Sequence, residues 1–131
     1  MRITIDSNVF IASLISNGTC SELVKIALIK HEIIGSEYIQ NEIIEKLINK
    51  FKFSKHESIF AANFLFEKVR IVQPIDFKSS SRISDKDDIP IIGTALSGDC
   101  EYLITGDKPL QDLHTIESLK IISPSNAWKI I

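Results

Sequence analysis

Asp85-Lys86-Asp87-Asp88-Ile89-Pro90-Ile91-Ile92-Gly93-Thr94-Ala95-Leu96-Ser97-Gly98 runs on through Asp99-Cys100-Glu101 into Tyr102-Leu103-Ile104-Thr105-Gly106-Asp107-Lys108. The first part carries Ile91, Ile92, Ala95 and Leu96 at helical spacing. Ser84 and Asp87 give the Ser-x-x-acid pattern of a helix start, and Gly98 marks its end. The second part is a short apolar run from Tyr102 to Thr105, as expected of a strand covered on both faces. An acid, Asp107, follows it. A helix, then a buried strand, then a carboxylate is the order of a parallel α/β sheet, which binds its ligands beyond the carboxyl ends of its strands.

The same alternation extends outward in both directions. Ile3 and Ile5 belong to a first strand, ended by Asp6; Asn8 to Ile15 reads as a helix and Asn17-Gly18 as a turn. A helix over Ser21–Lys30 leads to the short strand Ile33-Ile34-Gly35. Ser36 is placed to cap a helix from Glu37 to about Lys50, with Ile39, Ile43, Leu47 and Phe51 at i, i+4 steps. Ser54 and Glu57 form a capping-box pattern before Ile59, Phe60, Leu65 and Phe66. Val69–Val72 and Lys120–Ile122 complete the strands, Lys78–Arg82 reads as an exposed loop, and Ser123-Pro124 opens a last short helix. The expectation is one domain over residues 1–131, a three-layer α/β/α fold around a parallel sheet of about five short strands.

Composition excludes several classes. An apolar fraction of 44% supports a core and argues against disorder, and no apolar run reaches the ~20 residues of a membrane span. The N-terminus lacks the pattern of a signal peptide. Two cysteines, Cys20 and Cys100, make neither a disulfide framework nor a zinc motif, and read as reduced thiols in a cytoplasmic protein. Net charge of −2 gives no overall basic footprint, but Lys46, Lys50, Lys52, Lys55 and His56 crowd within eleven residues. Any one of those lysines is equally well a solvated helix residue.

The acids are the candidates for chemistry. Asp6 and Asp107 each follow an apolar strand. Asp88 is separated from Asp85 and Asp87 by its helical face: i+3, i+4 and i+7 are Ile91, Ile92 and Ala95. It is expected to point inward while Asp87 serves the cap, and Pro90 disfavours helical geometry at Ile89. Glu42 is one helix glutamate among several, with Glu45 as its rival. Asn8 and Ser7 stand ready to orient Asp6, and Thr105 to supply a supporting hydroxyl; local capping explains Asn8 and Ser7 as well. Clustered acids without basic partners call for a cation, and oxygen-rich carboxylate sites suit Mg²⁺ or Mn²⁺. One or two such ions could polarise a phosphodiester and activate water. His31, His56 and His114 are scattered and read as surface residues, and neither a P-loop nor a G-x-S-x-G motif is present.

These segments together resemble the PIN-domain nucleases, in the branch of toxin components of toxin–antitoxin pairs, similar to VapC-type toxins. The resemblance rests on Ile5-Asp6-Ser7-Asn8-Val9-Phe10, on Ser36-Glu37-Tyr38-Ile39-Gln40-Asn41-Glu42, and on the stretch from Asp85 to Lys108. It covers nearly the whole chain in matching order. It implies a metal site of Asp6, Glu42, Asp88 and Asp107, supported by Asn8 and Thr105, that uses Mg²⁺ or Mn²⁺ to hydrolyse RNA. It alone selects Glu42. It also implies a homodimer and an antitoxin partner. The chain departs from the family pattern at Pro90, in a helix start that is usually proline-free, and at Pro109, where an acid is frequent. Two other readings remain open at this stage: an inactive PIN-fold RNA-binding or scaffold protein, and a phosphohydrolase with an aspartyl nucleophile. The latter usually wants a second acid where Asn8 stands.

Overall fold

Ile3 and Ile5 are fully enclosed, and the strand that holds them, β1 (Arg2–Ile5), lies inside a six-stranded sheet. The computed structural model describes residues 1–131. The other strands are β2 (Glu32–Gly35), β3 (Arg70–Ile71), β4 (Tyr102–Ile104), β5 (Thr115–Ile116) and β6 (Leu119–Ile122). Their spatial order is β3-β2-β1-β4-β6-β5, and every neighbouring pair is parallel except β5 with β6. The chain builds outward from β1 through β2 to β3, then returns to place β4 on the other side. The order therefore reverses between β1 and β4. Ile5 pairs with Ile104 there, so Asp6 and Thr105 emerge side by side at the switch point where open sheets bind ligands.

Seven helices flank the sheet: α1 (Ser7–Ile15), α2 (Thr19–Lys30), α3 (Glu37–Phe51), α4 (Lys55–Phe66), α5 (Ile89–Ser97), α6 (Lys108–Gln111) and α7 (Pro124–Ala127). α3 begins where expected, because Ser36 Oγ accepts from the Ile39 amide at 3.4 Å. Ile39, Ile43 and Leu47 are completely buried along its inner face, each contributing about 2 kcal/mol by leaving water. α4 starts with both bonds of the capping box, Ser54 N–H to Glu57 Oε1 at 2.8 Å and Glu57 N–H to Ser54 Oγ at 3.1 Å. One apolar cluster takes in residues from both faces of the sheet, and Phe10 of α1 meets Phe66 of α4 with ring centroids 5.4 Å apart.

Several local expectations need correction. The sheet has a sixth strand, β5, and it is antiparallel. The hairpin link is Glu117-Ser118, with Glu117 at φ 51°, so the glycine or asparagine that usually announces such a turn is missing. Lys78–Arg82 forms a 3₁₀ turn rather than an open loop. Asp85, not Asp87 or Ser84, caps the start of the α5 region: its carboxylate accepts from the Asp87 amide at 2.9 Å, opening a 3₁₀ turn over Lys86–Asp88. Pro90 does not interrupt α5. Ile89 is helical at φ −59°, ψ −48°, and Pro90 sits in the first turn, where an N–H has no intrahelical acceptor anyway. Gly98 ends α5 without a left-handed turn. A Cβ there would lie 2.5 Å from Ile34 Cγ2, so close approach to the sheet is what demands glycine. Of the histidines, His31 is half-buried: its Nδ1 lies 3.3 Å from the Met1 amine, and its Nε2 is enclosed without a partner.

Candidate active site

Asp6 stands at the N-cap position of α1, yet its carboxylate caps nothing. Only 3% exposed, it turns toward the end of β4 and accepts from Thr105 Oγ1 at 2.7 Å. The Thr105 hydroxyl accepts in turn from the Asp107 amide at 3.0 Å, which fixes its proton toward Asp6. Ser7 Oγ lies 3.5 Å from the other oxygen of Asp6 and donates to Glu42 Oε1. Burial pushes the Asp6 carboxyl above its ordinary value; the Thr105 bond and the charge of Lys46 oppose this.

Asp107 follows β4 by way of Thr105 and Gly106, and its Oδ2 accepts from the Leu110 amide at 3.3 Å, which starts α6. Pro109 lies in the first turn of that helix and leaves this bond in place. Glu42 comes from the middle of α3, with its side chain only 17% exposed. Glu45, its rival, is exposed. Asp88 is the N-cap residue of α5 and, like Asp6, makes no capping bond. Its carboxyl is pushed up to about 7, first by burial and then by the charges of Asp6, Asp107, Asp85 and Glu42.

These side chains share one cleft of about 250 Å³, lined by Asp6, Asn8, Glu42, Lys46, Asp85, Asp87, Asp88 and Asp107, with no apolar residue among them. All four acids nominated from the sequence are brought together, and Asn8 with them. Asn8 does not orient Asp6, however; its Oδ1 accepts from Lys46 Nζ at 3.1 Å. Asp85 and Asp87, set aside in the sequence, also line the cleft. A larger groove of about 400 Å³, bounded by α1, α2 and α4, lies elsewhere and holds a single acid, Glu67, beside Lys25 and Lys68 among mainly apolar and hydroxyl residues.

Three contributors escaped the sequence reading. Lys46 looked like one of a run of solvated lysines, but at i+4 from Glu42 it folds over the cleft. Tyr38, at i−4, donates from its hydroxyl to the Asp87 carbonyl at 2.9 Å and holds the Asp85–Asp88 turn against α3. Burial and the neighbouring acids raise the Tyr38 phenol to about 12, so it remains a donor at physiological pH. Ser36 and Thr94 meet at 2.8 Å and join the start of α3 to the second turn of α5, the two helices that carry Glu42 and Asp88. The i±4 spacing was the available signal for Lys46 and Tyr38; nothing local announces the Ser36–Thr94 contact.

The donor set consists of hard oxygens with a large excess of negative charge, which fits a divalent cation such as Mg²⁺ or Mn²⁺. No three of the acids close around a single point. The Asp88 carboxyl, raised by burial first and by the surrounding acids second, sits where an added positive charge would favour its ionised form.

Known proteins bear on this geometry. No curated protein matches the chain. Among solved structures, it is similar to VapBC-1 from nontypeable Haemophilus influenzae, with a TM-score of 0.67, 19% identity, and 95% of this chain and 99% of that chain covered. It is also similar to VapBC2 from Rickettsia felis bound to a DNA fragment from their promoter, with a TM-score of 0.66, 14% identity, and 94% and 98% covered. At those identities the likeness establishes the fold. The sequence pattern of the PIN domain matches residues 2–109, which includes every carboxylate of the cleft, and so the chain belongs to the PIN-domain family of nucleases.

Proposed function

We propose that this chain is a metal-dependent endoribonuclease that hydrolyses RNA phosphodiester bonds and is the toxin of a toxin–antitoxin pair. The observation that carries the proposal is the cleft at the β1/β4 switch point, where six carboxylates face one ammonium and no apolar side chain. Asp6, Glu42, Asp88 and Asp107 are the residues we assign to hold Mg²⁺ or Mn²⁺. When bound, the ion supplies charge that polarises the phosphodiester and favours attack by water. The chain's own residues set the stage. Thr105 orients Asp6, Ser7 holds Glu42, and Tyr38 fixes the turn that carries Asp88. In the ion-free cleft the Asp88 carboxyl is pushed up to about 7, so binding of the ion is coupled to loss of that proton.

The aspartyl-nucleophile reading is disfavoured, because Asp6 is enclosed, has both oxygens beside hydroxyl donors, and is followed by asparagine where that chemistry wants an acid. Support for protein partners comes from large exposed apolar side chains, Ile29 at 78%, Phe60 at 70% and Phe64 at 66%. The VapBC names of the similar structures agree with an antitoxin as one partner, and a second copy of the chain is the other we propose. We place the protein in the cytoplasm and treat residues 1–131 as one PIN domain.

The test is Asp6→Asn, assayed with Mn²⁺ and with Mg²⁺ on single-stranded RNA, structured RNA and single-stranded DNA. The wild type is expected to cut RNA at internal positions, and the variant to be slower by at least ~100-fold, the scale of losing one preorganised charged group at a reacting phosphate. Wild type as inert as the variant across all the substrates would leave the scaffold reading in its place.

A further inference from the structure

Lys46 is an unusual partner for Glu42. The other i,i+3 and i,i+4 ion pairs lie in open solvent: side-chain exposures are 67% and 63% for Lys25–Glu22, and 77% and 61% for Lys108–Asp112. Pairs of that kind contribute little. Lys46 and Glu42 are only 25% and 17% exposed. The ammonium reaches beyond its own helix as well. Its Nζ lies 3.7 Å from Glu42 Oε1, 3.4 Å from Ser7 Oγ and 3.1 Å from Asn8 Oδ1, so it bridges α3 to the start of α1. Lys50, Lys52 and Lys55 of the same basic run are exposed, and none of them lines the cleft.

We propose that Lys46 is a tethered cation that shares the carboxylate cleft with the divalent ion and, once the ion takes up Glu42, grips the anionic phosphate of the RNA backbone. This rests on the reading of the cleft as a metal-dependent RNA-cleaving site. An ammonium and a divalent ion compete for the same Glu42 oxygen and repel one another, so Lys46 lowers affinity for the ion. The ammonium has three donor hydrogens and a flexible stem, so losing Glu42 leaves it free to turn toward a new acceptor. A phosphodiester entering this cleft would otherwise meet six carboxylates and no cation from the protein. Lys46 thus acts on the two partners in opposite directions, weakening the metal and strengthening the substrate.

That opposition is the test. Calorimetric titration of metal-stripped Lys46→Met with Mn²⁺ alone is expected to show binding tighter by on the order of tenfold, as one nearby positive charge is removed. Cleavage of the oligoribonucleotide that wild type cuts best is expected to show KM raised by on the order of tenfold, with kcat changed by less than about threefold. Lys46→Arg, which keeps the charge, should restore both toward wild type. A merely structural lysine would weaken metal and RNA together. Mn²⁺ binding no tighter in Lys46→Met than in wild type, or an unchanged KM, overturns the assignment while wild-type cleavage keeps the nuclease reading intact. A wild type that neither binds Mn²⁺ nor cuts RNA overturns both.

Discussion

Asp88→Asn should make the metal-free protein more stable. The Asp88 carboxyl has an ordinary value of 3.8 and is pushed up to about 7 in the fold, by burial first and then by Asp6, Asp107, Asp85 and Glu42. The folded state therefore holds the proton more tightly than the unfolded chain does. Between about pH 4 and pH 7 folding takes up a proton, so stability falls as pH rises through that window, and the full loss is present above pH 7. The displacement corresponds to about 4 kcal/mol at ~1.36 kcal/mol per pH unit. Asp88 is about half exposed, and solvent screening brings this to roughly 1–2 kcal/mol. Asparagine keeps the shape, removes the charge and forfeits no capping bond, because Asp88 makes none. In chelator-treated protein at pH 7.5, thermal unfolding followed by circular dichroism should place the variant roughly 4–8 °C above wild type. The gap should narrow steadily on acidification toward pH 4. Wild type should recover much of the difference on adding Mn²⁺, while the variant gains less. A variant no more stable than wild type at pH 7.5, or a gap independent of pH, would falsify the view that repulsion among these carboxylates governs the cleft.

Three further outcomes follow from single contacts. Thr105→Val removes the 2.7 Å bond that holds the Asp6 carboxyl down, so Mn²⁺ affinity measured by calorimetry at pH 6.5 should weaken roughly tenfold and recover in part at higher pH. Tyr38→Phe deletes the 2.9 Å bond to the Asp87 carbonyl; it should cost about 0.5–1 kcal/mol in urea unfolding and lower kcat several-fold with little change in KM. Gly98→Ala forces a methyl to within 2.5 Å of Ile34 Cγ2; it should cost about 1–3 kcal/mol of stability and leave the Mn²⁺ dissociation constant of the remaining folded protein unchanged.

Much of the architecture is legible from apolar runs, because β1, β2, β4 and β6 in the middle of the sheet carry buried isoleucine and leucine: Ile3, Ile5, Ile33, Ile34, Leu103, Ile104, Leu119 and Ile121. β5 is the strand that escapes. It spans Thr115 and Ile116, only one of which is buried, and its turn uses Glu117 in a left-handed conformation instead of a recognisable turn residue. Two residues carry too little periodicity to register. The site divides in the same way. Asp6 and Asp107 are visible because each follows such a strand. Glu42 is not, since its partners Ser7 and Lys46 reach it through the fold from α1 and from one helical turn away. Lys46 sits among exposed lysines that share its composition and differ only in where their ends lie.

Capping is where local and tertiary demands meet, and it sorts the acids more sharply than position does. Asp6, Asp85, Asp88 and Asp107 all stand at a helix or 3₁₀ start, where an aspartate ordinarily bonds a free amide and contributes about 1 kcal/mol. Asp85 and Asp107 make that bond. Asp6 and Asp88 forgo it. Both are also raised above the ordinary aspartate value, so neither gains from the charge of the helix end what burial and neighbouring acids take away. A carboxylate that gives up its cap and tolerates desolvation is held by constraints from elsewhere in the chain: for Asp6 the Thr105 hydroxyl, and for Asp88 the turn clamped by Tyr38. No window of a few residues contains those constraints. The sequence nominates Asp6 from its strand end and Asp88 from its helical face; the fold adds that they are the two acids with the least local reason to be charged, and therefore the two on which an added cation acts most strongly.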